Sequence, residues 1–173
     1  MVISFPVLAE INLFGGNSLL EAIKANDSQL VQEKIYQGEN IEAQDFDGRR
    51  PLIYAAFIGN PELLKILIQG GAQLDHRDKL GNSALFYAAS RGNIDICEIL
   101  VGAGAEKNLY NRQGVTPLMA AAKTGYVDVV QLLLSEGADP KVRDYTGRTA
   151  LMWAQWNRKL LVIQLLQNAN IRE

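Results

Sequence analysis

Glycine recurs along this chain at a fixed step of 33 residues, and that step limits the fold more than any other feature. Gly15, Gly48, Gly81, Gly114 and Gly147 form one column, and Gly38, Gly71, Gly104 and Gly137 form a second. Leu19, Leu52, Leu85, Leu118 and Leu151 keep the same step, as do Ala22, Ala55, Ala88, Ala121 and Ala154. Columns in one register mark a tandem array of five units, and a chain of 173 residues has room for little else. No unit of this length buries its apolar face alone, so stability has to come from stacking.

Each unit reads as two short helices followed by a turn-rich hairpin. In the fourth, Thr116 caps and Pro117 opens the first helix, both favourable at a helix start. Leu118, Ala121 and Ala122 then repeat at helical spacing, and Gly125 ends the helix in the left-handed conformation that glycine adopts without steric cost. Val129, Val130, Leu132, Leu133 and Leu134 give the second helix a broad apolar stripe that stops at Gly137. Asp139, Pro140 and Gly147 make the remainder a hairpin rather than a third helix. The same pattern predicts helices near 50–58 and 60–70, 83–91 and 93–102, and 149–157 and 159–168.

The run Gly114-Val115-Thr116-Pro117-Leu118-Met119-Ala120-Ala121-Ala122, with Gly125 and Leu132 to Asp139, resembles the ankyrin repeat. The resemblance implies an all-α repeat solenoid, a stack of helix-turn-helix units joined by β-hairpin loops. Ile53, Phe86, Met119 and Met152 stand where that family usually places a histidine, so the hairpins are expected to rely more on packing. The expected division is a leader at 1–14, an N-terminal cap repeat at 15–44, repeats at 45–77, 78–110 and 111–143, and a C-terminal cap at 144–173. Caps need polar outer faces. Glu21, Lys24, Gln29, Gln32, Glu33 and Lys34 supply one, and Gln164, Gln167 and Asn168 the other, with Arg158 replacing the inter-helix glycine. Trp153 and Trp156 are expected to add buried area to the last unit.

Composition and motifs remove most chemistry. One cysteine excludes an internal disulfide and one histidine a multi-histidine metal site. His76 reads as a solvated hairpin residue, and Cys97, on the stripe Ile94, Ile96, Ile99 and Leu100, as a buried, inert thiol. Asp45, Asp78 and Asp144 recur three residues before a turn glycine, where a carboxylate closes the turn on the backbone. A shared metal is disfavoured because these acids lie a repeat apart. Gly15-Gly16 and Gly70-Gly71 lack the spacing of a phosphate loop. The expectation is a chain with no catalysis and no cofactor, acting as a monomer.

Residues 1–14, MVISFPVLAEINLF, fall outside the repeat. They carry no basic start, Pro6 interrupts them and the apolar block is short, which favours an apolar leader folded onto the first helices over a secretion signal. A cytoplasmic location is the corresponding expectation, with secretion the alternative. No run reaches the roughly 20 apolar residues of a membrane-spanning helix.

The resemblance also implies a protein-binding role through the hairpin tips and a concave groove lined by the first helices. Carried onto this chain, the contact positions include Phe46, Arg49, Phe57, Ile58 and Arg77, then Leu80, Arg91 and Tyr110. Arg112, Lys123 and Arg143 follow, then Tyr145, Arg148 and Trp156. Of the 26 positions so identified, nine are Lys or Arg and Asp47 alone is acidic, although acids outnumber bases 19 to 17 in the chain. Bases are thus segregated toward this face, among aromatics of the kind that anchor interfaces. The expected partner is an acidic protein steered there by charge. The net charge of −2 and the lack of a basic tail argue against nucleic acid. Binding of another anionic polymer, or a role as an enzyme's regulatory subunit, is the alternative.

Overall fold

The computed structural model describes residues 18–171, so the leader at 1–14 lies outside the described residues. Ten helices occur among the described residues, arranged in consecutive pairs. The first helices of the pairs are α1 (Ser18–Lys24), with its partner α2 (Ser28–Tyr36), then α3 (Pro51–Ile58) with α4 (Pro61–Gln69). They continue as α5 (Ala84–Arg91) with α6 (Ile94–Gly102), α7 (Pro117–Thr124) with α8 (Val127–Ser135), and α9 (Ala150–Trp156) with α10 (Leu160–Ile171). The expected helices agree with these within a few residues.

Local chemistry sets the boundaries. Ser83, Thr116 and Thr149 accept from the backbone N–H three residues on, and Pro51 and Pro117 occupy first-turn positions that need no N–H donor. Asp27, Asn60 and Asn93 cap the second helices in the same way. Between paired helices the chain turns through positive φ. Gly59, Gly92 and Gly125 do so at 83°, 73° and 95°, whereas Asn26 and Arg158 adopt 58° and 55° in the outer pairs.

Two layers result. Each first helix packs on the first helix of the next pair, and each second helix on the next second helix. The alanines of the first layer, Ala55, Ala88, Ala121 and Ala154, are wholly buried and let the helices approach closely. Leu67, Leu100, Leu133 and Leu166 fill the space between the layers. The core is continuous along the stack, as expected for units that cannot stand alone.

The hairpins close on two main-chain hydrogen bonds each, such as Asp78 N–H to Asn82 O at 3.1 Å and Gly81 N–H to Asp78 O at 2.8 Å, with no regular strand among the described residues. They also join one another: the N–H groups of Lys79, Arg112 and Tyr145 donate to the carbonyls of Asp47, Leu80 and Gln113 at 2.8, 3.0 and 3.1 Å. A Cβ at Gly81 would lie 2.7 Å from the nitrogen of Arg112, so glycine is what allows this approach.

Three expectations need correction. His76 is half-buried and its Nε2 lies 2.8 Å from the Gly48 carbonyl, a tether to the preceding hairpin rather than a solvated residue. The outer surface of the last pair is not wholly polar: Gln164, Gln167 and Asn168 are exposed, but so are Met152, Leu160 and Leu161. Trp156 is 67% exposed and adds little buried area, because its ring stands in solvent under the guanidinium of Arg148, while Trp153 is half-buried.

Candidate functional site

The face made by the hairpins and first helices rests on a repeated turn. Asp45 Oδ1 accepts the N–H groups of Asp47 and Arg49, both at 2.8 Å. Asp78 does the same for Leu80 and Asn82, and Asp144 for Thr146 and Arg148. In the fourth unit Asn111 takes this place, its Oδ1 accepting from Gln113 and Val115. These are the turn closures expected of the acidic column, and they hold each tip in one shape.

The second oxygen of each acid ties the tip to the first helix. Tyr54 and Tyr87 donate their hydroxyls to Asp45 and Asp78 at 2.6 Å, and the Trp153 indole donates to Asp144 at 2.9 Å. Burial alone would push the carboxyls of Asp45 and Asp144 up. Hydrogen bonds from side chains and backbone outweigh it and hold both below the usual carboxylate range. The phenols of Tyr54 and Tyr87 are pushed up by burial and by their acid partners, so they stay neutral donors. Sequence reasoning missed these aromatic donors, although Tyr54, Tyr87 and Trp153 follow their acids by nine residues in one column.

On this frame the structure brings several of the anticipated contact residues together. Arg91 stacks over Phe57, 4.4 Å from the ring centre, and Phe57 meets Tyr87 edge-on. Arg148 lies 4.2 Å from the ring centre of Trp156 and 5.4 Å from that of Trp153, which Lys123 covers from 5.0 Å. Tyr110 and Tyr145 meet edge-on across neighbouring hairpins at 6.2 Å. Phe46 is exposed under the ammonium of Lys79, and Leu80 is exposed at its tip. Ile58 is half-buried against the core, and Arg112 is exposed.

Other arginines are engaged within the chain. Arg49 contacts Asp47 at 3.3 Å and the buried Asp78 at 3.8 Å, so its charge is matched at home. Arg77 donates to the Tyr110 carbonyl at 3.2 Å and Arg143 to the Gly147 carbonyl at 2.7 Å, which leaves their charges unneutralised but their orientations fixed. Asn82 and Asn111, both buried, join across the hairpins at 3.1 Å. Cys97 is fully buried, and desolvation, with the charge of Glu98 acting the same way, pushes its thiol up to about 12. It stays protonated and unreactive at neutral pH.

No described helix is long and apolar enough to cross a membrane. Compared with curated proteins, the chain has no match. The model of the ankyrin repeat family, written for three copies, matches residues 19–111 and again 100–173. Together these matches span nearly the whole described structure, so the chain belongs to the ankyrin repeat family.

Proposed function

We propose that this chain binds an acidic protein partner along the face made by its hairpin tips and first helices. Ankyrin repeats generally mediate protein–protein interaction, and the family's members are typically non-enzymatic. One observation carries the finer reading. Lys79, Arg91, Lys123 and Arg148 each lie over an aromatic ring on this face, and none has a carboxylate within ion-pair distance among the described residues. Stacking holds the cations in place while leaving their charge available to an incoming acid, an arrangement suited to steering and to anchoring.

The test is a pull-down from cells that make the protein, comparing wild type with an Arg91→Glu, Arg112→Glu double variant. The expected result is recovery of a protein with an acidic segment, falling as salt rises and falling further with the double variant. Both arginines are exposed, so the melting temperature should move by no more than about 2 °C. Equal recovery of the same partner by the double variant overturns the reading.

A further inference from the structure

From the second unit to the fifth, the aromatic column that braces the hairpins is broken once; the first unit has Glu21 in that register. Tyr54, Tyr87 and Trp153 each place a ring beside the turn-closing acid, but the fourth unit has Ala120 at that position. The acid is replaced there as well, by Asn111, whose Nδ2 donates to Asn82 and to Gln113 instead of accepting from a ring. The two changes match each other: without a ring donor, a carboxylate oxygen would lack its partner, and the amide finds acceptors of its own.

The missing ring leaves space. A cleft of about 480 Å³ opens there between hairpin and first helix, lined mainly by apolar surface that includes Phe86, Val115, Ala120 and Trp153. Lys123 and Arg148 border the same cleft. The carboxylate in the lining, Asp144, is buried, with its oxygens taken by Thr146, Arg148 N–H and Trp153. The charge offered to an incoming group is therefore that of the two cations.

We infer that this cleft receives one aromatic side chain from the acidic partner segment, with neighbouring carboxylates of that segment set against Lys123 and Arg148. The inference rests on the binding face proposed above and names its anchor point. An aromatic fits because the space stands where its own column places rings, beside Phe86 and the edge of Trp153, where offset and edge-on contacts are favourable. A ring in a desolvated pocket with a charged rim is also the arrangement that concentrates interface energy.

The experiment pans a random-peptide phage library against the full chain, then measures the enriched peptides against three variants. Ala120→Tyr fills the cleft, and Asn111→Asp with Ala120→Tyr fills it while restoring the acid–tyrosine pair of the second and third units, so this variant should fold. Arg91→Glu with Arg112→Glu alters the wider face alone. The expected result is enrichment of peptides that combine an aromatic with acids and lose affinity about tenfold or more on both cleft-filling variants. Enriched peptides that weaken on the arginine variant but bind the filled cleft as well as wild type overturn the anchor and leave the binding face standing. Enriched peptides indifferent to all three variants, or no enrichment, overturn both.

Discussion

The Trp153 indole N–H donates to Oδ2 of Asp144 at 2.9 Å, while Oδ1 of the same carboxylate accepts the N–H groups of Thr146 and Arg148. One side chain thus closes the hairpin and fastens it to α9. Asp144→Asn keeps the turn, as Asn111 does in the neighbouring unit, but one amide atom becomes a donor facing the indole donor. The expected cost is about 1–2 kcal/mol, as for a polar group left without a partner in a half-buried place. In a Trp153→Phe background, which removes the donor and keeps a ring, the same change should cost less by about 1 kcal/mol. Denaturant melts of the four proteins in this cycle measure the coupling. Equal costs in both backgrounds would remove the indole bond as a fastener.

The same carboxylates set an acid limit. Asp45 and Asp144 have folded values below their unfolded ones, and so does Glu39, where burial acts against hydrogen bonds from Ser18, Lys34 and the Leu19 N–H that prevail. Groups lowered on folding contribute stability that is fully present above the unfolded range near 4 and lost as pH falls through the folded values. The melting temperature should therefore be nearly flat from neutrality to about pH 5 and decline below about pH 4. An Asp45→Asn, Asp144→Asn variant should start lower and decline less steeply over that lower range. Thermal melts across the series read the slopes directly, and parallel slopes would show that these two acids do not set the limit.

The array was legible in the sequence because its repeat is covalent: a column such as Leu52, Leu85 and Leu118 needs no structure to be seen, and all three are buried. The turn acids were legible for a related reason, since a side chain that bonds backbone two and four residues on acts locally. Bonds between elements were not. Nothing local in Asn82 and Asn111 reveals that they meet across 29 residues, and Arg49 reads as a groove cation until Asp78 is seen beside it. Exposure within an aromatic pair was equally hidden: Trp153 and Trp156 lie three residues apart, yet the first is held by Asp144 and the second stands out under Arg148.

Stability should lie in the layer between the two rows of helices. Leu133 is wholly buried beneath α7 and its neighbours in the core, so Leu133→Ala should cost roughly 2–5 kcal/mol. Arg112 is exposed, and the hydrogen bond it gives across the hairpins to the Leu80 carbonyl comes from its backbone N–H, which a side-chain change preserves. Arg112→Ala should cost under about 0.5 kcal/mol. Chemical denaturation of both variants decides the point, and similar losses would contradict a layered core.

Two glycines near the end of α6 should respond to substitution with opposite signs. Gly102 is the last residue of the helix and Gly104 follows it at φ 97°, and neither would meet a heavy atom within 4 Å if it carried a Cβ. Space is therefore equal and backbone conformation decides. Gly102→Ala restricts the unfolded chain and suits a helix, so it should stabilise by about 0.4–1 kcal/mol. Gly104→Val forces a β-branched residue into the left-handed region and should destabilise by about 1–3 kcal/mol. Arg158 tests the same argument in reverse, since it holds φ 55° where inner pairs have glycine. Arg158→Gly relieves that strain at some cost in unfolded-state entropy, for a net gain of up to about 1 kcal/mol. Thermal melts should rank Gly102→Ala and Arg158→Gly above wild type and Gly104→Val below it. A Gly104→Val protein that melts with wild type would refute the left-handed stop after α6.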